Sequence, residues 1–280
     1  MFDYPSLSVD IQGQKHTRSY KVFAAVLPHR HYSQDLTRIS FWHDLPLLRE
    51  PYHRGIYNFV CEIPRGSLAK MEVSTNEPLN PIRQDTRTDA QGKKVMRTYA
   101  APIEWNYGMF PRTWEDPGHK WPFLGGLGGD GDPLDVIEVG DAACTCGGVY
   151  PVKVLGALAL IDDGEVDWKV ICVRLDSSLG VKLQDIGDLD AIMPGELDRI
   201  RTWLRDYKIP EGKPPNVLGL DGRCLTQHET RTLVIDPTAQ AYQAGLQTRR
   251  GIVRTRRARS GKIERKTRTR KPSPIQNLKI

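Results

Sequence analysis

The sequence predicts a mainly β protein of the α+β class, a β-barrel with helices packed against its outside. Three observations lead there. Short apolar or alternating segments, separated by Gly, Pro and Asp, fill the first two thirds of the chain, as strands joined by turns do. Helical spacing of apolar residues takes over after Pro194. Beyond Arg249 the composition turns basic and too poor in apolar residues to form a core.

Taken in order, strands are expected at SYKVFAAVL, YNFVCEIP, AKMEVS, LDVIEVG, YPVKVLGALALI and DWKVICVRL. Many short strands at this spacing suggest a barrel or a sandwich. Leu197, Ile200, Trp203, Leu204 and Tyr207 then recur at helical intervals, and Ile209-Pro210 stops that helix. A second helix is expected from Asp236 to Leu246, with Asp236 as N-cap and Pro237 in the first helical position. The chain therefore divides into a body, residues 1–248, and a tail, residues 249–280.

Charge supports that division. From Arg249 to Ile280 thirteen Lys and Arg stand against one acid, Glu264, a surplus of +12; the whole chain totals +6, so the body carries −6. The tail is expected to be disordered on its own. Its plainest reading is a solvated extension, with nuclear import or polyanion binding as alternatives. No apolar run nears the roughly 20 residues of a membrane-spanning helix. MFDYPSLSVDIQGQ has neither a secretory apolar region nor an Arg/Ser-rich amphipathic pattern. Five scattered cysteines without a CxxC pair favour a reducing compartment and argue against zinc held by thiolates. Cytoplasm is the expected compartment, with the mitochondrion or an acidic phosphate-storing organelle as alternatives.

The chemistry gathers in four segments. GDGDPLDVIEVG puts Asp130, Asp132 and Asp135 within six residues, where they repel one another unless cations or protons neutralise them. An EF-hand does not account for them, because Leu134 and Asp135 occupy its fifth and sixth positions. One acidic turn by itself is ordinary turn chemistry. A second, ALIDDGEVDWKV, sets Asp162 and Asp167 around a turn and places Lys169 on the strand face of Asp167 while Trp168 points the other way. YNFVCEIPRGSLAKMEV adds Glu62, then Lys70 and Glu72 on one face with Met71 and Val73 opposite. DYKIPEGKPPN offers Tyr207 and Lys208 at a helix end, with Lys213 beyond. Any one of these lysines, alone, would read as a solvated surface residue.

Together, and in the order EIPRGSLAKMEV, LNPIRQDT, NYGMFPRTWEDP, DGDPLDVIEVG, DDGEVDWKV, DYKIPEGKPPN, these segments resemble the family I soluble inorganic pyrophosphatases in their longer eukaryotic form. The resemblance runs from about Tyr20 to about Leu246. It implies an OB-like five-stranded β-barrel with extra strands and flanking α-helices, and hydrolysis of pyrophosphate to two phosphates. Glu62, Glu72, Asp130, Asp132, Asp135, Asp162 and Asp167 would hold several Mg²⁺ ions, with Mn²⁺ or Zn²⁺ as substitutes. Lys70, Arg97, Tyr107, Lys169, Tyr207 and Lys208 would face phosphate oxygens. Asp132 would orient or deprotonate the attacking water, and Asp135 would bridge two ions. Hard Mg²⁺ prefers carboxylate and water oxygens, which fits that division.

The chain also departs from the family. The Arg97–Tyr107 segment is short, and Ile103 stands where relatives carry a further tyrosine, which leaves Arg83 and Arg87 as alternatives to Arg97. Gly66 replaces a tryptophan of the fungal relatives, so a homodimer like theirs does not follow automatically. OB-like barrels also bind oligonucleotides, but seven carboxylates on the binding face would repel a phosphate backbone.

Overall fold

The computed structural model describes residues 7–27, 36–49 and 55–246. The tail and the boundary at residue 248 lie outside the described residues. The strands in chain order are β1 (Leu7–Gln12), β2 (Lys21–Val26), β3 (Thr37–Ile39), β4 (Ile56–Ile63), β5 (Met71–Val73), β6 (Ile82–Gln84), β7 (Thr86–Thr88), β8 (Lys94–Met96), β9 (Asn106–Met109), β10 (Asp135–Glu138), β11 (Val149–Asp162), β12 (Glu165–Arg174) and β13 (Val217–Leu218). All six expected strands are among them.

One sheet runs β12-β10-β9-β4-β11-β13, and β11 also pairs with β12, so the hydrogen-bonded pairing returns on itself over five strands. The second sheet runs β1-β2-β6-β5, with β3 on β2. The β11–β12 hairpin turns on Asp163 and Gly164, both at positive φ (49° and 90°), the Asp-Gly signature of a two-residue hairpin loop. β12 runs antiparallel to β11 but parallel to β10, which sets Asp135 level with Lys169. In β12 the side chains alternate as expected: Trp168 is fully buried in the core beside Trp121, with ring centroids 6.2 Å apart, and Asp167 and Lys169 face the other way. Aromatic rings of this size bury about 150–250 Å² each, so such pairs dominate the core's stabilisation.

The helices flank the sheets. A capping box of Asp185 and Asp188 starts α1 (Ile186–Ile192). Gly195, at φ 81°, leads into α2 (Glu196–Asp206), whose Leu197, Ile200 and Leu204 are buried. Tyr207 caps α2, donating its N–H to Trp203 O at 2.9 Å, and Lys208 follows directly.

The expected second helix needs correction at its start. Residues 236–246 are helical, but Asp236 does not cap them. The helix begins at Thr226, whose hydroxyl accepts the Glu229 N–H (3.2 Å) while the Glu229 carboxylate accepts the Thr226 N–H (2.8 Å). It runs through α3 (Gln227–Thr230) and a π turn (Arg231–Ile235), in which the Asp236 N–H reaches Arg231 O. The π turn explains the error. Pro237 has no N–H for Leu233 O, and that carbonyl takes the Trp121 indole N–H instead, at 3.3 Å. Thr226→Ala is expected to cost about 1 kcal/mol, lowering Tm by roughly 2–4 °C for a domain of this size. An unchanged melting curve would show that the capping box does not hold this helix.

Candidate active site

The DGDPLD turn owes its shape to its glycines. A Cβ at Gly129 would lie 2.3 Å from Glu115 O, and Gly131 sits at φ 89°. This lets residues 129–132 lace onto the Trp114–Asp116 segment: Gly131 N–H donates to Glu115 O (2.8 Å) and Glu115 N–H to Asp132 O (2.9 Å). Asp132 N–H in turn donates to Asp130 Oδ1 at 2.9 Å. Asp130 and Asp132 are thereby held at the mouth of β10, whose first residue is Asp135.

Strand pairing supplies the rest. Lys169 Nζ, almost fully buried, donates to Asp135 Oδ2 at 2.5 Å and to Asp167, its neighbour two residues back on the same face. Tyr107, on β9, donates its hydroxyl to the same Asp135 oxygen. Glu62 falls where the β4–β9 register slips between Cys61 and Ile63, a bulge that re-aims a side chain. Its Oε1 accepts the Val73 N–H at 2.6 Å. Lys70 reaches Glu72 (2.8 Å) and Asp85 (3.2 Å). Lys208 pairs with Asp162 across the end of the hairpin.

These side chains line one cavity of about 410 Å³. It collects Glu62, Glu72, Asp130, Asp132, Asp135, Asp162 and Asp167 together with Lys70, Arg97, Tyr107, Lys169, Tyr207 and Lys208, so every residue to which the resemblance assigned a role reaches it. Arg97 lines it while donating to Asp85 (2.7 Å) and, through Nη2, to Glu211 (2.9 Å). Of the alternatives to it, Arg83 pairs with Glu77 and Arg87 is exposed on β7. Lys213 turns instead to Asp163, at 3.0 Å.

Burial is the first cause of the site's electrostatics. It pushes the Asp130 and Asp167 carboxyls up to about 7 and Asp132 up to about 6, with neighbouring carboxylates adding to the effect. Glu62 is held well above the usual carboxylate range by burial and then by the Asp135 charge. Burial pulls Lys169 down, but Asp135 and Asp167 outweigh it and hold the ammonium charged.

Three residues in or beside the site escaped the sequence reading. Glu115, fully buried, lies with Asp130 and Asp167 so that one oxygen of each falls within 4.8 Å of the others. Its Oε1 accepts the Trp168 N–H (2.8 Å), and its Oε2 has no partner. The motif TWEDP carried this acid, but nothing local showed that it folds inward. Glu211 clamps Arg97 from a position 114 residues away. Tyr99 lines the cavity from the segment after Arg97.

A wall of carboxylate oxygens facing ammonium, guanidinium and phenol groups is an arrangement that can support metal-assisted chemistry on a phosphate compound. Comparison with known proteins makes that class specific. The family model for inorganic pyrophosphatase matches residues 59–243. The chain is 44% identical to soluble inorganic pyrophosphatase 1, chloroplastic, of Chlamydomonas reinhardtii, over 84% of this chain and 78% of that one. It is 42% identical to soluble inorganic pyrophosphatase 6, chloroplastic, of Arabidopsis thaliana, over 77% and 67%. A crystal structure of the vacuolar soluble pyrophosphatase of Trypanosoma cruzi, truncated of its N-terminal domain and in complex with PPi, superposes with a TM-score of 0.78 at 35% identity, covering 88% of this chain and 94% of that one. The chain belongs to the inorganic pyrophosphatase family.

Proposed function

We infer that this chain is an inorganic diphosphatase, hydrolysing pyrophosphate to two phosphates with Mg²⁺ as its working cation. The observation that carries the reading is the meeting of seven carboxylates and four cationic side chains in one cavity.

The donor set fits such ions. All the acidic donors are hard oxygens, as Mg²⁺ prefers, and the buried Glu115 Oε2 has no protein partner. Glu62, Glu72, Asp130, Asp132, Asp135, Asp162 and Asp167 would hold the ions, and Glu115 joins them by its position beside Asp130 and Asp167. Bound there, divalent cations neutralise substrate charge and lower the pKa of a water toward neutrality.

The chain's own groups do the remainder. Asp132 is anchored through its backbone on both sides, so its carboxylate is free to orient the attacking water and take its proton. Lys70, Arg97, Lys169 and Lys208, with the Tyr107 and Tyr207 hydroxyls, would hold phosphate oxygens and stabilise charge on the departing phosphate. Asp135 keeps Tyr107 and Lys169 converged on one point.

The closed five-strand pairing is, on this reading, the OB-like barrel that presents the site. Cytoplasm is our reading for the compartment, supported by five free thiols; no helix among the described residues is long and apolar enough to cross a membrane. Purified protein at neutral pH with Mg²⁺ is expected to release phosphate from pyrophosphate. A folded preparation that releases none would overturn the assignment.

A further inference from the structure

We propose that Tyr99 is a further substrate-binding residue of this site, donating its phenolic hydrogen to a phosphate oxygen beside Lys70 and Arg97. The proposal rests on the diphosphatase reading and deepens it.

The backbone fixes where the side chain goes. Tyr99 N–H donates to Leu68 O at 2.8 Å, Thr98 bridges to Ala69, and Lys70 N–H donates to Arg97 O. The segment that carries Tyr99 is therefore tied to the one that carries Lys70. Its ring rests against Trp203, with centroids 5.7 Å apart, and meets Tyr207 edge-on at 6.2 Å. Those contacts hold the ring at the cavity wall among the charges of Lys70, Asp135, Lys169 and Arg97. Ile103, further along the same segment, turns into the core at 1% exposure, so this stretch sends a phenol into the site from Tyr99 and from no later position before Tyr107.

The state of the hydroxyl points to a ligand. Three neighbouring donors are engaged, Tyr107 with Asp135, Lys70 with Glu72 and Asp85, and Arg97 with Asp85 and Glu211, whereas the Tyr207 hydroxyl, already assigned to phosphate, makes no hydrogen bond to another described residue. The Tyr99 hydroxyl has no hydrogen-bond partner among the described residues, although it lines a polar cavity. Tyr99 is half-buried, so its hydroxyl is a donor left available at the cavity wall for a ligand rich in acceptors. Nearly all the polar atoms along the edge of pyrophosphate are acceptor oxygens. Burial pushes the Tyr99 phenol up to about 12, so it stays protonated and able to donate wherever the enzyme works. Being uncharged, it adds a hydrogen bond without adding to the charge that must later release two phosphate products.

Tyr99→Phe isolates the hydroxyl, because the ring and its contacts with Trp203 and Tyr207 remain. With Mg²⁺ present, KM for pyrophosphate is expected to rise roughly tenfold, the scale of a hydrogen bond to a charged acceptor, while kcat stays within about threefold. Calorimetric binding of methylenediphosphonate, which cannot be hydrolysed, should weaken by the same factor. An unchanged KM with unchanged analogue affinity, or a loss matched by a fall in melting temperature, overturns the proposal. The two arms separate it from the reading beneath it: wild-type protein that fails to hydrolyse pyrophosphate sinks the diphosphatase assignment, while the analogue titration still reports on Tyr99.

Discussion

Stripping divalent cations with EDTA is expected to abolish phosphate release from pyrophosphate by the intact chain and to lower its melting temperature, and added Mg²⁺ to restore both. The expectation follows from charge crowding. Asp130, Asp132, Asp135 and Asp167 share one small cavity, and burial holds three of them, Asp130, Asp132 and Asp167, partly protonated near neutral pH when nothing neutralises them. A cation that binds the native chain and not the unfolded one stabilises it by about 2.7 kcal/mol at one hundred times its Kd, roughly 5–10 °C in Tm for a domain of this size. Phosphate release and a melting curve, each with Mg²⁺, with EDTA, and with EDTA followed by excess Mg²⁺, check it. Turnover that survives chelation would sink the metal-dependent reading, and an unmoved Tm would show that these carboxylates do not hold the ion.

Asp132→Asn should reduce turnover by roughly 10²- to 10⁴-fold, the scale of losing a general base, while the fold survives. Asparagine keeps the size of the side chain. The two hydrogen bonds that set the turn here use the Asp132 backbone, N–H to Asp130 and carbonyl from Glu115, so neither is lost. What disappears is one carboxylate charge at the cavity. Asp163→Asn is the matched control: Asp163 sits in the exposed hairpin turn, pairs with Lys213, and does not line the cavity. Steady-state turnover and circular dichroism on both variants make the test. A well-folded Asp132→Asn protein working at a near-normal rate would remove Asp132 from the chemistry.

The parts of the site that were legible in the sequence share one property: their geometry is local. Lys70 and Glu72 touch because alternate residues of an extended chain share a face, and Asp167 and Lys169 do the same. The Asp163-Gly164 turn was written in DDGE because both positions need positive φ, which Asp and Gly tolerate. Where sequence reasoning failed, partners distant in the chain decided the outcome. Glu115 was one acid among three in TWEDPGHKWPFLGGLGGD until Gly129 and Gly131 drew the DGD turn onto its backbone. Asp236-Pro237 looked like a helix start because nothing near it announced a π turn or the Trp121 indole that relieves Leu233 O.

By itself the sequence determined the strand segments, the alternation that separates Trp168 from Asp167 and Lys169, the helix ending at Tyr207 and Lys208, and the kinds of group the site would contain. Only the tertiary structure decided how they meet. The parallel pairing of β10 with β12 sets Asp135 level with Lys169, a bulge in β4 turns Glu62 toward them, and Glu211 locks Arg97 from across the fold. Side-chain periodicity and turn preference act over a few residues and can be read from the chain. Register between strands, and the side on which a lone acid or phenol is buried, are set by closing the pairing and filling the core, where distant segments compete for the same space.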